Sequence, residues 1–229
     1  KKKILEKADK IICISDVTKN NLINIYNQDP DKLETIHLGF DHIIYDQLLS
    51  FTHKRPFLLF VGSREKYKNF LYFIEQFSKS SQLMKNFDII LFGGGNITDN
   101  ENQKLNFLGY QKNQIKHYEG SDQFLFTLYK KAEIFIFPSM FEGFGIPLIE
   151  AQACGCPILA SDIDTFREIC GDSVLYFDLS IKDDLIHKLE EILYSSDLKA
   201  KIKSKGQLNH SKYTWDNCAK KTIALYKNL

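Results

Sequence analysis

The chain has 229 residues, 44% of them hydrophobic and 26% charged, which suits one large globular domain, or one domain plus a fragment of another. A formal net charge of +1 leaves no basic footprint for nucleic acid. No apolar run approaches the roughly 20 residues that span a bilayer, and Lys1, Lys2 and Lys3 lead into further charged residues, as a solvated or truncated terminus would, instead of a secretory leader.

In chain order, Asp9–Ile14 is a short apolar run and Ser15 a suitable N-cap for a helix through Tyr26. Leu33–Leu38 is a strand candidate ending at Gly39. A helix-like stretch follows, then Pro56 and the strand Phe57–Val61, and Gly62 opens a polar loop. Phe70, Phe73, Ile74 and Phe77 carry helical spacing across Asn69–Leu83. Asp88–Phe92 is a strand stopped by Gly93, Gly94 and Gly95, and Asn106–Leu108 reads as a short strand stopped by Gly109. Ser121–Ala132 is predicted helical and Ile134–Phe137 a strand. Pro147–Ala153 follows as a helix, with Pro at its start and Gly155 at its stop. Ile158–Ala160 and Val174–Phe177 are predicted strands, Lys182–Tyr194 an amphipathic helix, and Trp215–Leu229 a last helix.

Continuous apolar strands alternating with helices predict an α/β fold, a Rossmann-like doubly wound parallel sheet covered on both faces. Ligands of such sheets bind beyond the carboxyl ends of the strands. Four polar or glycine-rich segments are expected there: Gly62–Lys68, Gly93–Asn96, Gly109–Tyr110 and Ser139–Ile146. The five cysteines lack a framework spacing and read as small residues in a reducing compartment. Neither they nor the six histidines form a zinc pattern.

The segment from Phe137 to Ala151 concentrates the chemistry. Glu142 and Glu150 stand eight positions apart, with Gly143, Gly145 and a helix start between them. Glycines let backbone N–H groups approach a ligand, and a helix N-terminus favours phosphate. Glu142 can accept from sugar hydroxyls and Glu150 from ribose hydroxyls. Spacing alone favours a solvated Glu142 and a Glu150 that merely complements the helix dipole, and likewise favours Arg64 and Lys68 as a solvated cluster with Glu65 and Lys66.

This stretch resembles the E-x7-E signature of the GT-B fold glycosyltransferases of family 4. The resemblance continues through LYKKAEIFIFPSMFEGFGIPLIEAQACGCPILASDIDTFREICGDSVLYFD, FLLFVGSREKYKNF, ADKIICISDVTKNNL and YTWDNCAKKTIALY, from about Ala8 to Tyr226. It implies the C-terminal, donor-binding half of a retaining glycosyltransferase that transfers a sugar from a nucleoside-diphosphate sugar to a glycan or lipid-linked acceptor in surface polysaccharide synthesis. By the resemblance, Glu142 is the catalytic glutamate that faces the transferred sugar. Gly143, Phe144, Gly145 and Ile146 form the loop whose N–H groups meet sugar and phosphate, together with Ser139. Glu150 binds the ribose; Arg64 and Lys68, after Gly62, neutralise the diphosphate. Gly93 bounds the cleft floor, and Gly109 and Tyr110 lie where relatives hold the base, with the Tyr110 ring either stacked on it or part of the core.

Ser63 separates Gly62 from Arg64 where many relatives have the arginine directly after the glycine, which favours Lys68 over Arg64. Phe166-Arg167-Glu168 lacks the proline that often precedes the glutamate, which puts the shape of that loop in question. The resemblance implies no catalytic metal and no cofactor, a mannosyltransferase-like GDP-sugar as the first donor to consider, and a cytoplasmic protein whose full form touches the inner face of the membrane. It also implies three regions: residues 1–45 as the end of an acceptor domain and linker, 46–210 as the donor domain, and 211–229 as a helix returning to the acceptor domain. The chain is accordingly expected to be a truncation, a proteolytic remnant or one subunit of a split enzyme. The alternative from another class is a non-catalytic nucleotide-sugar-binding subunit. A GT-B epimerase is disfavoured by the E-x7-E arrangement.

Overall fold

The computed structural model describes residues 2–40, 49–64 and 66–228. The helix-like stretch after Gly39 and the boundary expected at residue 45 fall on 41–48, outside the described residues. Helix α1 (Lys2–Lys7) precedes strand β1 (Ile11–Cys13), helix α2 (Asp16–Tyr26) and strand β2 (Leu33–Thr35). Ser15 caps α2 as predicted, its side chain accepting from the Thr18 N–H. β1 and β2, which fall within the predicted runs Asp9–Ile14 and Leu33–Leu38, pair in parallel with Ile11 opposite Leu33.

The main unit follows as β3 (Phe57–Val61), α3 (Phe70–Ser78), α4 (Ser81–Asn86), β4 (Asp88–Phe92), α5 (Asp99–Phe107), β5 (Ile115–Tyr118), α6 (Asp122–Lys131) and β6 (Ile134–Phe137). It continues through α7 (Ile146–Ala153), β7 (Ile158–Ser161), α8 (Asp164–Cys170), β8 (Leu175–Phe177), α9 (Asp184–Tyr194), α10 (Ser196–Asn209) and α11 (Trp215–Lys227). The six strands form one parallel sheet in the order β5-β4-β3-β6-β7-β8. Numbered from β3, that is the 3-2-1-4-5-6 order of dinucleotide-binding sheets, with its switch point between β3 and β6. Both faces are covered. Leu59, Phe135 and Phe137 point into one apolar layer with Leu148 and Phe166, and Leu58, Phe60 and Ile136 into the other with Phe73 and Leu189. Every residue of β3, β6 and β7 is buried, the pattern that made them legible.

Several predicted elements need correction. The single helix over Asn69–Leu83 is two, because Ser80 starts α4 by capping the Leu83 N–H. The predicted strand Asn106–Leu108 is the end of α5. Thr98 and Glu101 form a reciprocal capping box that starts this helix, and Leu105 is buried. The strand of that region is β5, where Lys116 and His117 interrupt the apolar run at the sheet's outer edge. The segment around Phe166-Arg167-Glu168 is helix α8, and α10 was also unforeseen. At the far end, the Phe40 N–H donates to the Tyr213 carbonyl (3.2 Å), and a side chain on Gly39 would collide with the Trp215 backbone. The start of α11 is thus pressed against the segment that ends at Phe40. Among the described residues, no helix is long and apolar enough to cross a membrane.

Candidate active site at the switch point

The loops that follow β3 and β6 leave the sheet side by side at its switch point, so residues far apart in sequence meet there. Lys68 Nζ lies 2.7 Å from Glu142 Oε1, with side-chain exposures of 14% and 15%. The ammonium also sits 5.0 Å from the Phe137 ring centroid and 5.3 Å from that of Tyr67. The two loops are joined by the Met140 N–H, which donates to the Tyr67 carbonyl (2.8 Å).

Gly145 occupies a left-handed conformation (φ 100°) at the N-cap of α7, and Pro147 sits in its first turn. A Cβ on Gly145 would press on Leu148 and Phe166. The positive φ, which side chains rarely tolerate, makes the tight turn that leads the loop carrying Glu142 into the first turn of α7. One turn on, Glu150 Oε2 accepts from the Tyr129 hydroxyl (3.1 Å). Burial raises the Glu150 carboxyl above its ordinary range; Tyr129 pulls it down and the charge of Asp122 pushes it up. Ser139 is fully buried, with a hydroxyl that has no partner among the described residues, while its carbonyl accepts from Ser161 Oγ.

The remaining predicted site residues divide. Gly62 (φ 105°) and Gly93 (φ 74°) turn the chain at the ends of β3 and β4, as expected. Arg64 starts from the right loop but is bound to Glu101, Nε to Oε1 2.5 Å, with a further bond to the Asn96 carbonyl. Its Nη1 is buried without a partner among the described residues.

Gly109 and Tyr110 are a correction. They close the turn between α5 and β5, at the amino ends of the strands, away from the Lys68–Glu142 pair. Their N–H groups donate to the Asn106 and Leu105 carbonyls. The Tyr110 ring is core: it stacks on Phe77, and its hydroxyl donates to the Ile74 carbonyl (2.8 Å). Relocating the strand to β5 makes Glu119–Gly120 the loop at the carboxyl end of this part of the sheet.

A cleft of about 710 Å³ opens beside Glu142, lined by Tyr67, Met140, Phe141, Gly143, Asp162, Asp164 and Thr165 and, from α2, by Val17, Thr18 and Asn21. The α2 residues were not foreseen, because nothing in the sequence says that α2 closes this cleft. Thr165 Oγ1 donates to the Glu142 carbonyl (3.0 Å). Among the described residues, Asp16, His37 and Glu168 bring potential ligand atoms within 4.8 Å of one another. The Glu168 oxygens, however, already accept from the Asp16 and Val17 N–H groups and meet His37 Nε2. All five cysteines are free, and burial pushes the Cys154 thiol up to about 12.

The family described as "Glycosyl transferases group 1" matches residues 44–209. The chain belongs to that family. This glycosyltransferase domain is 27% identical over 237 residues to the O-antigen chain mannosyltransferase B of Escherichia coli, covering 98% of the chain and 62% of that relative. It therefore spans less than two thirds of that relative's length. Among solved structures it is similar to a glycosyltransferase from Rickettsia africae (TM-score 0.83, 20% identity, 99% of this chain and 66% of that one). It is also similar to Anabaena HepE, determined in complex with UDP-glucose (TM-score 0.82, 15% identity, 96% and 64%). The likeness is one of fold, that of the GT-B glycosyltransferases.

Proposed function

We propose that this chain is the donor-binding half of a retaining glycosyltransferase and takes a nucleoside-diphosphate sugar in the cleft between the β3 and β6 loops. The observation that carries the reading is the Lys68–Glu142 pair at the switch point, beside the first turn of α7. An ammonium and a helix N-terminus favour the charge that develops on a departing nucleoside diphosphate. A carboxylate next to them is placed to accept from the hydroxyls of the sugar left behind. In this reading Glu150 takes the ribose hydroxyls, the loop Glu119–Gly120 lies toward the base, and Lys68 with backbone N–H groups carries the diphosphate charge without a metal ion.

The relative named a mannosyltransferase makes a GDP-sugar the first donor to test, and the neighbour determined with UDP-glucose makes a UDP-sugar the second. A glycan or lipid-linked acceptor of surface polysaccharide synthesis, reached on the cytoplasmic side of the membrane, completes the proposal.

The test is calorimetric titration of the chain with UDP, GDP, UDP-glucose and GDP-mannose, for wild type, Lys68→Ala and Glu150→Ala. Saturable binding of one nucleotide, weakened in both variants, is the expected result. A folded wild-type chain that binds none of the four overturns the reading.

A further inference from the structure

Helix α8 carries two polar side chains on one face, Thr165 and Glu168, three positions apart. Each reaches a different wall of the cleft. Thr165 Oγ1 holds the Glu142 carbonyl at 3.0 Å. Glu168 reaches the opposite wall: Oε1 accepts from the Asp16 N–H at 2.8 Å and Oε2 from the Val17 N–H at 2.9 Å. These are the first two N–H groups of α2, which have no partner within their own helix, so the carboxylate meets both the free donors and the positive end of the helix dipole. His37 Nε2 adds a third contact at 2.8 Å. All three contacts join residues more than 130 positions apart, and Glu168 keeps only 15% of its side chain exposed. Among the described residues, the contacts of this carboxylate all lie outside α8.

The wall held in this way touches the donor loop directly. A Cβ on Gly143 would lie 3.1 Å from Ile14 Cδ1, one residue before the α2 cap, so the loop packs closely against the Ile14 side chain. The His37 ring lies 6.0 Å from the Phe144 ring and 5.8 Å from Tyr213, whose hydroxyl returns to α8 at the Ile169 carbonyl. From the wall, Thr18 and Asn21 line the same cleft as Glu142. The nucleotide side of the site, with Lys68 and Glu150, is built from other elements.

We propose that Glu168 is a positioning residue that clamps α2 onto the donor loop, so that Thr18 and Asn21 read the sugar of the donor while the nucleotide is held independently. The proposal rests on the reading of the cleft as a nucleotide-sugar site. It assigns sugar discrimination to a helix outside the main sheet, and it makes α8 the strut that fixes the distance between that helix and Glu142.

Hydrogen exchange and titration on the same chain test it together. In Glu168→Ala, peptides covering residues 14–24 exchange at least tenfold faster, while those from β6 and β7 keep their wild-type rates. The affinity for UDP or GDP alone stays within threefold, whereas the preference for the cognate sugar nucleotide over its nucleoside diphosphate falls at least tenfold. Glu168→Gln, which keeps one acceptor oxygen, falls between. Unchanged exchange in residues 14–24 overturns the clamp. Equal acceleration of β6 and β7 also overturns it, since Glu168 would then support the whole fold. Faster exchange in α2 with sugar preference intact overturns the role of Thr18 and Asn21. If wild type binds no nucleotide, the donor reading fails and the sugar role fails with it, but the exchange rates still decide whether Glu168 holds α2.

Discussion

Lys68 Nζ and Glu142 Oε1 are 2.7 Å apart across 74 positions of sequence, and each side chain is about one-seventh exposed. The pair exists because β3 and β6 are neighbours at the switch point, so the loop after one delivers the cation and the loop after the other the carboxylate. Glu142 supplies the counter-charge of Lys68, the place that a diphosphate would take in the proposed donor complex. Lys68→Ala should therefore weaken nucleoside diphosphate binding by roughly 1.5–3 kcal/mol, the worth of a charge-assisted hydrogen bond. Glu142→Gln, which frees Lys68 from a competing anion, should leave the affinity for the nucleoside diphosphate equal or higher. Titration of both variants with UDP and GDP measures this.

Arg64 should behave differently from Lys68. Its guanidinium is committed to Glu101, whose carboxyl is pushed up by burial and pulled down further by Arg64 and by the Thr98 N–H, so that it ends below its ordinary value of 4.5. The stabilisation from that pair is present above about pH 4.5 and is lost as pH falls through the depressed value. Arg64→Gln should lower stability at neutral pH, with the difference from wild type shrinking in acid. It should reduce nucleotide affinity less than Lys68→Ala does. Urea unfolding at a series of pH values, beside the same titration, separates the two residues.

Glu150 has the opposite sign. Its buried carboxyl is raised, so the folded chain holds the proton more tightly than the unfolded one, and stability declines as pH rises from about 4.5 through the raised value. Above that value the ionised carboxylate is a constant penalty of about 1.4 kcal/mol for each pH unit of the rise. Glu150→Gln keeps an acceptor for Tyr129 and removes the penalty. The variant should be more stable than wild type at pH 8, equal to it below pH 4.5, and a weaker nucleotide binder. A side chain that costs stability and supports binding is what a ligand-directed carboxylate should look like. Chemical denaturation from about pH 4 to 8 shows the trend.

How far the sequence carried depends on which residues one follows. Phe57–Val61, Ile134–Phe137 and Ile158–Ala160 were legible because a strand buried on both faces reads as an unbroken apolar run. β5 was not, since its edge position tolerates Lys116 and His117, and the apolar group Leu105, Phe107 and Leu108 drew the strand assignment into the end of a helix. The Thr98–Glu101 capping box was the available signal for that helix. Misplacing the strand also moved the expected base contact to Gly109 and Tyr110. The glutamates and Lys68 were found from the motif they resemble, but their meeting, and the part played by Glu168, follow from strand order and helix placement, which no local pattern encodes.

Tyr110 gives a direct check of that correction. Its hydroxyl is buried against the Ile74 carbonyl and its ring against Phe77. Tyr110→Phe should cost about 1 kcal/mol of stability through the carbonyl left without its donor, and should leave the affinity for UDP and GDP unchanged. A loss of nucleotide affinity at full stability would return the ring to the binding site.

The glycines after β4 separate strain from contact. Gly93, Gly94 and Gly95 all have positive φ, at 74°, 76° and 78°, so alanine at any of them pays roughly 1–2 kcal/mol for the left-handed backbone. Only Gly94 also faces another backbone: a Cβ there would lie 2.5 Å from the Gly62 carbonyl oxygen and 2.9 Å from Ser63 Cα, whereas Gly93 and Gly95 meet nothing within 4 Å. Backbone cannot rotate away as a side chain does, so Gly94→Ala must push the β3 loop, and that loop carries Lys68. Gly93→Ala and Gly95→Ala should lose stability with little change in nucleotide affinity. Gly94→Ala should lose more stability than either and at least tenfold in affinity besides. Unfolding midpoints and titrations of the three variants decide it, and equal behaviour of all three would show that the β3 loop does not depend on its contact with Gly94.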